Sequence, residues 1–132
     1  MPVLQIAVAV VLASVLLGFT FVKNVNYALA ELRATSAVSS LDGGELEMAL
    51  QSINGAIAPA SDVGKYHVIR AKNLNQVRAS ITNNSERNQL AIEAYEANGR
   101  AVASNPFDLF GRLHFAESAL TLSMLGRSKK GD

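Results

Sequence analysis

The feature that most restricts this chain is its opening stretch. From Met1 to Val22 there is no Asp, Glu, Lys or Arg, and Val3 to Val22 is almost wholly Val, Leu, Ile, Ala and Phe. About twenty such residues at ~1.5 Å rise make a helix of about 30 Å, the thickness of a bilayer's hydrocarbon core. Only a helix can satisfy the backbone of such a run inside lipid. Every acid and base lies at or beyond Lys23, so the formal net charge of +1 averages a neutral rod and a mixed-charge remainder. That balance gives no electrostatic reason to expect nucleic acid as a partner.

A cleaved secretory signal shares the apolar core but usually opens on a basic region, and Met1 to Gln5 carries no basic side chain. Lys23 and Arg33 follow the run and only the amino terminus precedes it, so the positive-inside rule leans toward a cytoplasmic C-terminal part and fixes no orientation. Ala9 and Ala13, then Ser14 and Gly18, put small side chains on successive turns, where helices can approach closely. Residues 1–25 are therefore expected to form a transmembrane or assembly helix. Its packing residues are Val3, Ile6, Ala9, Val10, Ala13, Leu17, Gly18 and Phe21. Met1 precedes Pro2, a residue after which an initiator Met is normally trimmed. Met1 is thus read either as an untrimmed initiator or as the terminus left by a leader peptidase of the prepilin kind.

The remainder reads as all-α, with no strand pattern. Lys23 to Leu41 contains no Pro or Gly and places Val25, Leu29, Leu32, Val38 and Leu41 at helical spacing, so the first helix should run on until Asp42-Gly43-Gly44 stops it. Four more helices follow. Glu45 to Ala58 carries Leu46, Ala49, Leu50, Ile53 and Ile57 on one stripe and ends at Pro59. Lys65 to Thr82 offers Val68, Ile69, Leu74, Val77 and Ile81 as core. Ser85 is the expected N-cap of a helix to Ser104. Asn105-Pro106 reads as an N-cap followed by Pro at the first position of a last helix, with Gly126 as its C-cap. Arg127 to Asp132 is expected as a polar tail.

Helix pairs of this length call for a search for repeats. Gly44, Ala49, Ile53 and Ala56 fall where tetratricopeptide (TPR) repeats keep a Gly, a small, a bulky and a small residue. Ala94, Ala101 and Pro106 match the small, small and proline positions of a second copy. Residues 26–126 therefore resemble a TPR-like array. The resemblance implies helical hairpins packed nearly backbone to backbone through these alanines. The chain departs from the pattern at Asn98, where the family has a bulky side chain, and in the first helix of each hairpin. Two repeats are fewer than the usual three, which predicts support from neighbouring copies or a partner.

The sequence offers no constellation for catalysis and no cofactor site. Cys is absent, which removes disulfides, thiolate metal sites and Cys nucleophiles. His114 and Glu117, at i and i+3, could share a metal but lack further ligands. Asn83-Asn84-Ser85 fits the N-glycosylation sequon, with Asn83 as acceptor. Asp42, Glu45, Glu47 and Asp62 form an acidic block and Lys65, Arg70, Lys72 and Arg78 a basic one, able to pair within the hairpin or between molecules.

An uncharged helix, an amphipathic continuation and one small domain together resemble the layout of a type IV pilin. That resemblance implies a non-enzymatic, self-assembling subunit of a cell-surface filament, with apolar helices in its core, helical domains outside and copies of itself as partners. Gln5 stands where bacterial pilins typically carry Glu, which archaeal pilins dispense with, and a helical head differs from the usual sheet-containing one. The alternative expectation is a single-pass protein, held in membrane lipid, whose TPR-like domain recruits a protein partner.

Overall fold

The computed structural model describes residues 2–128, with side chains described for residues 5–125. Met1 and residues 129–132 of the expected tail therefore lie outside the described residues. Between Pro2 and Asp42 there is no Pro and only one Gly, Gly18, and one Gly does not break a long apolar helix. A single helix, α1 (Pro2–Asp42), runs for 41 residues, about 60 Å. It ends at Gly44, whose φ of +79° is a left-handed conformation open to Gly. Around that turn the Glu45 N–H donates to Ser40 O at 2.8 Å and the Gly44 N–H to Leu41 O at 3.2 Å, satisfying carbonyls that α1 leaves open.

Four shorter helices follow: α2 (Leu46–Ile57), α3 (Gly64–Ser80), α4 (Asn84–Ser104) and α5 (Leu109–Ser128). No strand forms among the described residues. Three helix ends differ from the sequence reading. Asn83, not Ser85, caps α4: its backbone is extended, and its Oδ1 accepts from Ser85 N at 2.9 Å and Glu86 N at 3.3 Å. Pro106 sits in a turn rather than at the first helical position. Asn105 Oδ1 accepts from Phe107 N, while Asp108 Oδ1 accepts from Phe110 N at 3.1 Å and opens α5 three residues later than expected. A second Asx side chain outcompeted the Asn-Pro signal. Gly126 lies within α5 rather than capping it.

Of the five apolar residues at helical spacing after Lys23, packing buries Leu41 alone. Ala30, Ala34, Ala37 and Leu41 are buried, whereas Val25, Leu29, Leu32 and Val38 are exposed. The alanines lie against Ile53, Ala56, Ala60 and Tyr66, because only small side chains let two helix backbones come this close. Arg33 lies across Gly55, its guanidinium donating to Gly55 O at 2.8 Å. A second cluster joins Ala71 and Leu74 of α3 to Ala94 and Ala97 of α4. At the far end of that pair, Gly64 sits so close to α4 that a Cβ there would lie 3.0 Å from Ala101 O.

Each helix packs on its chain neighbours. In addition α1 touches α3 and α3 touches α5, while α2 and α4 do not meet. The helices thus form two rows, α1, α3 and α5 against α2 and α4, with the first half of α1 projecting free of both.

Candidate functional site

The projecting rod is tied to the helical rows by a polar clasp. Glu31 Oε2 on α1 accepts from Lys65 Nζ at 2.6 Å and from the Tyr66 hydroxyl at 2.8 Å. Tyr27 donates its hydroxyl to Asp62 Oδ2 in the loop before α3. Lys65 and the Tyr66 hydroxyl hold the Glu31 carboxyl below its ordinary value. The hydroxyl of Tyr27 does the same for Asp62 and is itself raised in return. Burial first, and then the Glu31 carboxylate, push Tyr66 up to about 12. These contacts fix the direction in which the rod leaves the domain.

Along the rod every described side chain from Gln5 to Asn26 is exposed, including Ile6, Ala9, Val10, Ala13, Leu17, Gly18 and Phe21. The Val3 side chain lies outside the described residues. A Cβ added at Gly18 would meet nothing within 4 Å, so that position is open to another helix. α1 is long and apolar enough to cross a membrane, and a signal sequence would pass the same test. Because α1 is unbroken, its periodicity can be followed past the apolar run. Val8, Val11, Val15, Gly18, Val22, Val25, Leu29 and Leu32 recur at alternating steps of three and four, and all are exposed. This is the spacing of a helix–helix seam. It reaches ten residues beyond Val22, ends where Ser36 and Ser39 take its next positions, and turns away from the buried alanine face. The sequence reading had noted the helical spacing of Val25, Leu29 and Leu32 without assigning them a face.

A groove runs between α3 and α5, about 390 Å³ in volume. Val68, Ala71 and Ala79 give it an apolar floor, and Lys72, Asn75, Gln76 and Arg78 line it from α3. Asn98 reaches it from α4. That side chain is 2% exposed, and its Nδ2 donates to Ser118 Oγ at 2.7 Å and His114 O at 3.2 Å. Its Oδ1 accepts no hydrogen bond. The position where the repeat pattern has a bulky side chain thus carries a polar bridge to α5. Asn73, also buried, has neither amide atom bonded; the structure gives no physical account of this.

His114 Nδ1 and Glu117 Oε2 lie 3.2 Å apart on the α5 side of the groove. No group of three or more His, Asp or Glu placed to hold a metal occurs among the described residues. The opposed charge blocks do not meet. Lys65 pairs with Glu31 and Arg70 with Glu93, while Lys72, Arg78, Asp42, Glu45 and Glu47 make no ion pair among the described residues.

The outer side of α5 carries a third surface. Phe107 is 95% exposed, and Leu109, Phe110, Leu113, Leu120 and Met124 are all more than half exposed. Exposed bulky apolar side chains gathered on one helix make this a candidate contact surface. Of the residues expected to pack helix on helix, Ala49, Ile53, Ala56, Ala94 and Ala101 are buried, while Gly44 and Pro106 occupy exposed turns. Asn83 is exposed, and its Nδ2, the atom a glycan would take, is not part of the cap on α4. Compared with known protein families, curated proteins and solved structures, the chain has no match.

Proposed function

We propose that this chain is a non-enzymatic structural subunit that assembles with copies of itself into a pilin-like surface filament. Its apolar helices would pack in the core and its TPR-like helical rows would coat the outside. The observation that carries the reading is the seam on α1. A helix that only anchors a domain needs apolar residues as far as the bilayer extends. Here the seam continues through Val25, Leu29 and Leu32, past the charged Lys23, on the side facing away from the domain. Such a continuation is what a bundle of copies needs and a lone anchor does not. The uncovered apolar side of α5 supports the same reading, since a row this short leaves its last helix for a neighbour to cover.

Electron microscopy of material sheared from the cell surface, with mass spectrometry of the same fraction, tests the proposal. Regular filaments containing this chain support it. The chain found solely in the detergent-extracted membrane fraction, with no filaments, refutes it. A second reading, a membrane-anchored adaptor, draws on the groove between α3 and α5, which is concave, mixed in polarity and large enough for a side chain or two of a protein partner.

A further inference from the structure

Resting on the self-assembly reading, we infer that neighbouring domains meet head to tail. The acidic corner between α1 and α2 of one copy seats in the α3–α5 groove of the next. Three observations converge. The groove presents two cations, Lys72 and Arg78, that make no ion pair among the described residues, and its one acid, Glu117, faces His114. The corner presents Asp42, Glu45 and Glu47, also without a base among the described residues. Next to Glu47 stands Met48, an exposed, flexible apolar side chain, and the groove lining of Val68, Ala71 and Ala79 is apolar.

Met48 enters the apolar floor, and Glu45 and Glu47 meet Lys72 and Arg78 at the rim. Corner and groove are different surfaces of the same chain, so the contact is heterologous. It leaves one free corner and one free groove at the ends of any run, and so propagates instead of closing into a two-fold dimer.

Two experiments on the full chain test this. First, Lys72→Glu with Arg78→Glu, and separately Glu45→Lys with Glu47→Lys, are expressed and sheared filaments quantified. Each pair places like charges together and is expected to lower yield about tenfold or more, whereas all four changes in one chain restore opposite charges and the yield. Normal yield from either pair, or no recovery in the four-fold variant, overturns the inference while leaving the filament reading in place. Second, because the chain has no natural cysteine, Met48→Cys and Ala79→Cys chains are co-expressed and oxidised in membranes. Disulfide-linked dimers in the mixture, and none from either variant alone, are expected. This second readout does not depend on filaments. Its failure counts against the contact, and absence of wild-type filaments counts against the proposed function. Unlinked chains would leave the groove to a different acidic partner.

Discussion

Ala34 and Leu32 are two residues apart on α1, and periodicity and packing assign them opposite roles. Ala34 is 3% exposed and sits in the alanine seam against α2. Leu32 is 68% exposed. Replacing Ala34 by Leu forces three extra carbons between backbones that Ala30 and Ala37 hold close on the adjacent turns, an overpacking that costs about 1–3 kcal/mol. Replacing Leu32 by Ala removes a side chain of which about a third is out of water. Full burial of Leu is worth ~1.5–3 kcal/mol, so the loss is below about 1 kcal/mol, and the better helix propensity of Ala offsets a little of it. With a urea m-value of about 1.5 kcal/mol/M, a 2 kcal/mol loss lowers the unfolding midpoint by about 1.3 M, against less than about 0.7 M for Leu32→Ala. The assay is far-UV circular dichroism of the full chain in a mild non-ionic detergent, where micelle-bound α1 contributes a sloping baseline. An equal or larger shift for Leu32→Ala would refute the assignment of the buried face. In sheared filaments the order should reverse, with Leu32→Ala lowering yield.

Three further outcomes follow from the same contacts. Asn98→Asp turns a double donor into an acceptor facing the His114 carbonyl, and should destabilise the α4–α5 pair by about 2–3 kcal/mol at neutral pH; an unchanged melting temperature would exclude the bridge. The clasp predicts loss of stability at both extremes of pH. Glu31 and Asp62 are held below their ordinary values of 4.5 and 3.8, so the unfolded chain binds protons more readily, and their contribution is complete above those values and lost as pH falls through the lowered ones. Tyr66 is raised from 10.0 to about 12, so its contribution holds below pH 10 and disappears as pH climbs toward 12. Midpoints measured across that range should form a dome whose acid limb is shallower in Glu31→Gln; an identical acid limb would remove Glu31 from the account. In the rod, Ala13→Lys puts an unpaired charge where helices pack, and Gly18→Leu fills a position open in the single chain. Both should abolish filaments, Gly18→Leu without loss of membrane insertion, and normal filaments from Gly18→Leu would argue against packing at that face.

The rod and its extension could be read from the sequence because they depend on what is missing: no charge before Lys23, and no Pro or Gly pair before Gly43. Helix order followed from Gly, Pro and Asn punctuation for the same reason. The buried face of α1 was not legible. Periodicity weighs side chains by hydrophobicity, so Val25, Leu29 and Leu32 outweighed Ala30, Ala34 and Ala37, whereas close helix packing selects for small size. Asn98 was visible as a break in the repeat pattern, but its partners lie on α5, 16 and 20 residues further on, beyond any local signal. The start of α5 was misplaced because Asn105 and Asp108 both present an Asx acceptor, and only the fold decides between them.

The alanine seam and the uncovered faces are one fact seen from two sides. A chain with few large residues at its helix contacts builds a thin core, and bulk that does not fit there must go elsewhere. On α1 it goes to the seam, and on α5 to Leu109, Phe110, Leu113, Leu120 and Met124. Burying a side chain of that kind fully is worth ~1.5–3 kcal/mol, so several together are comparable with what a small domain keeps as net stability. The bulky residues lie on the first and last helices of the row, where a longer array would place another helix. In the proposed assembly a neighbour would complete a fold that keeps its small residues for itself and its large ones for its ends. The groove, with Lys72 and Arg78 making no ion pair among the described residues, and the acidic corner would then select which surface of that neighbour fits.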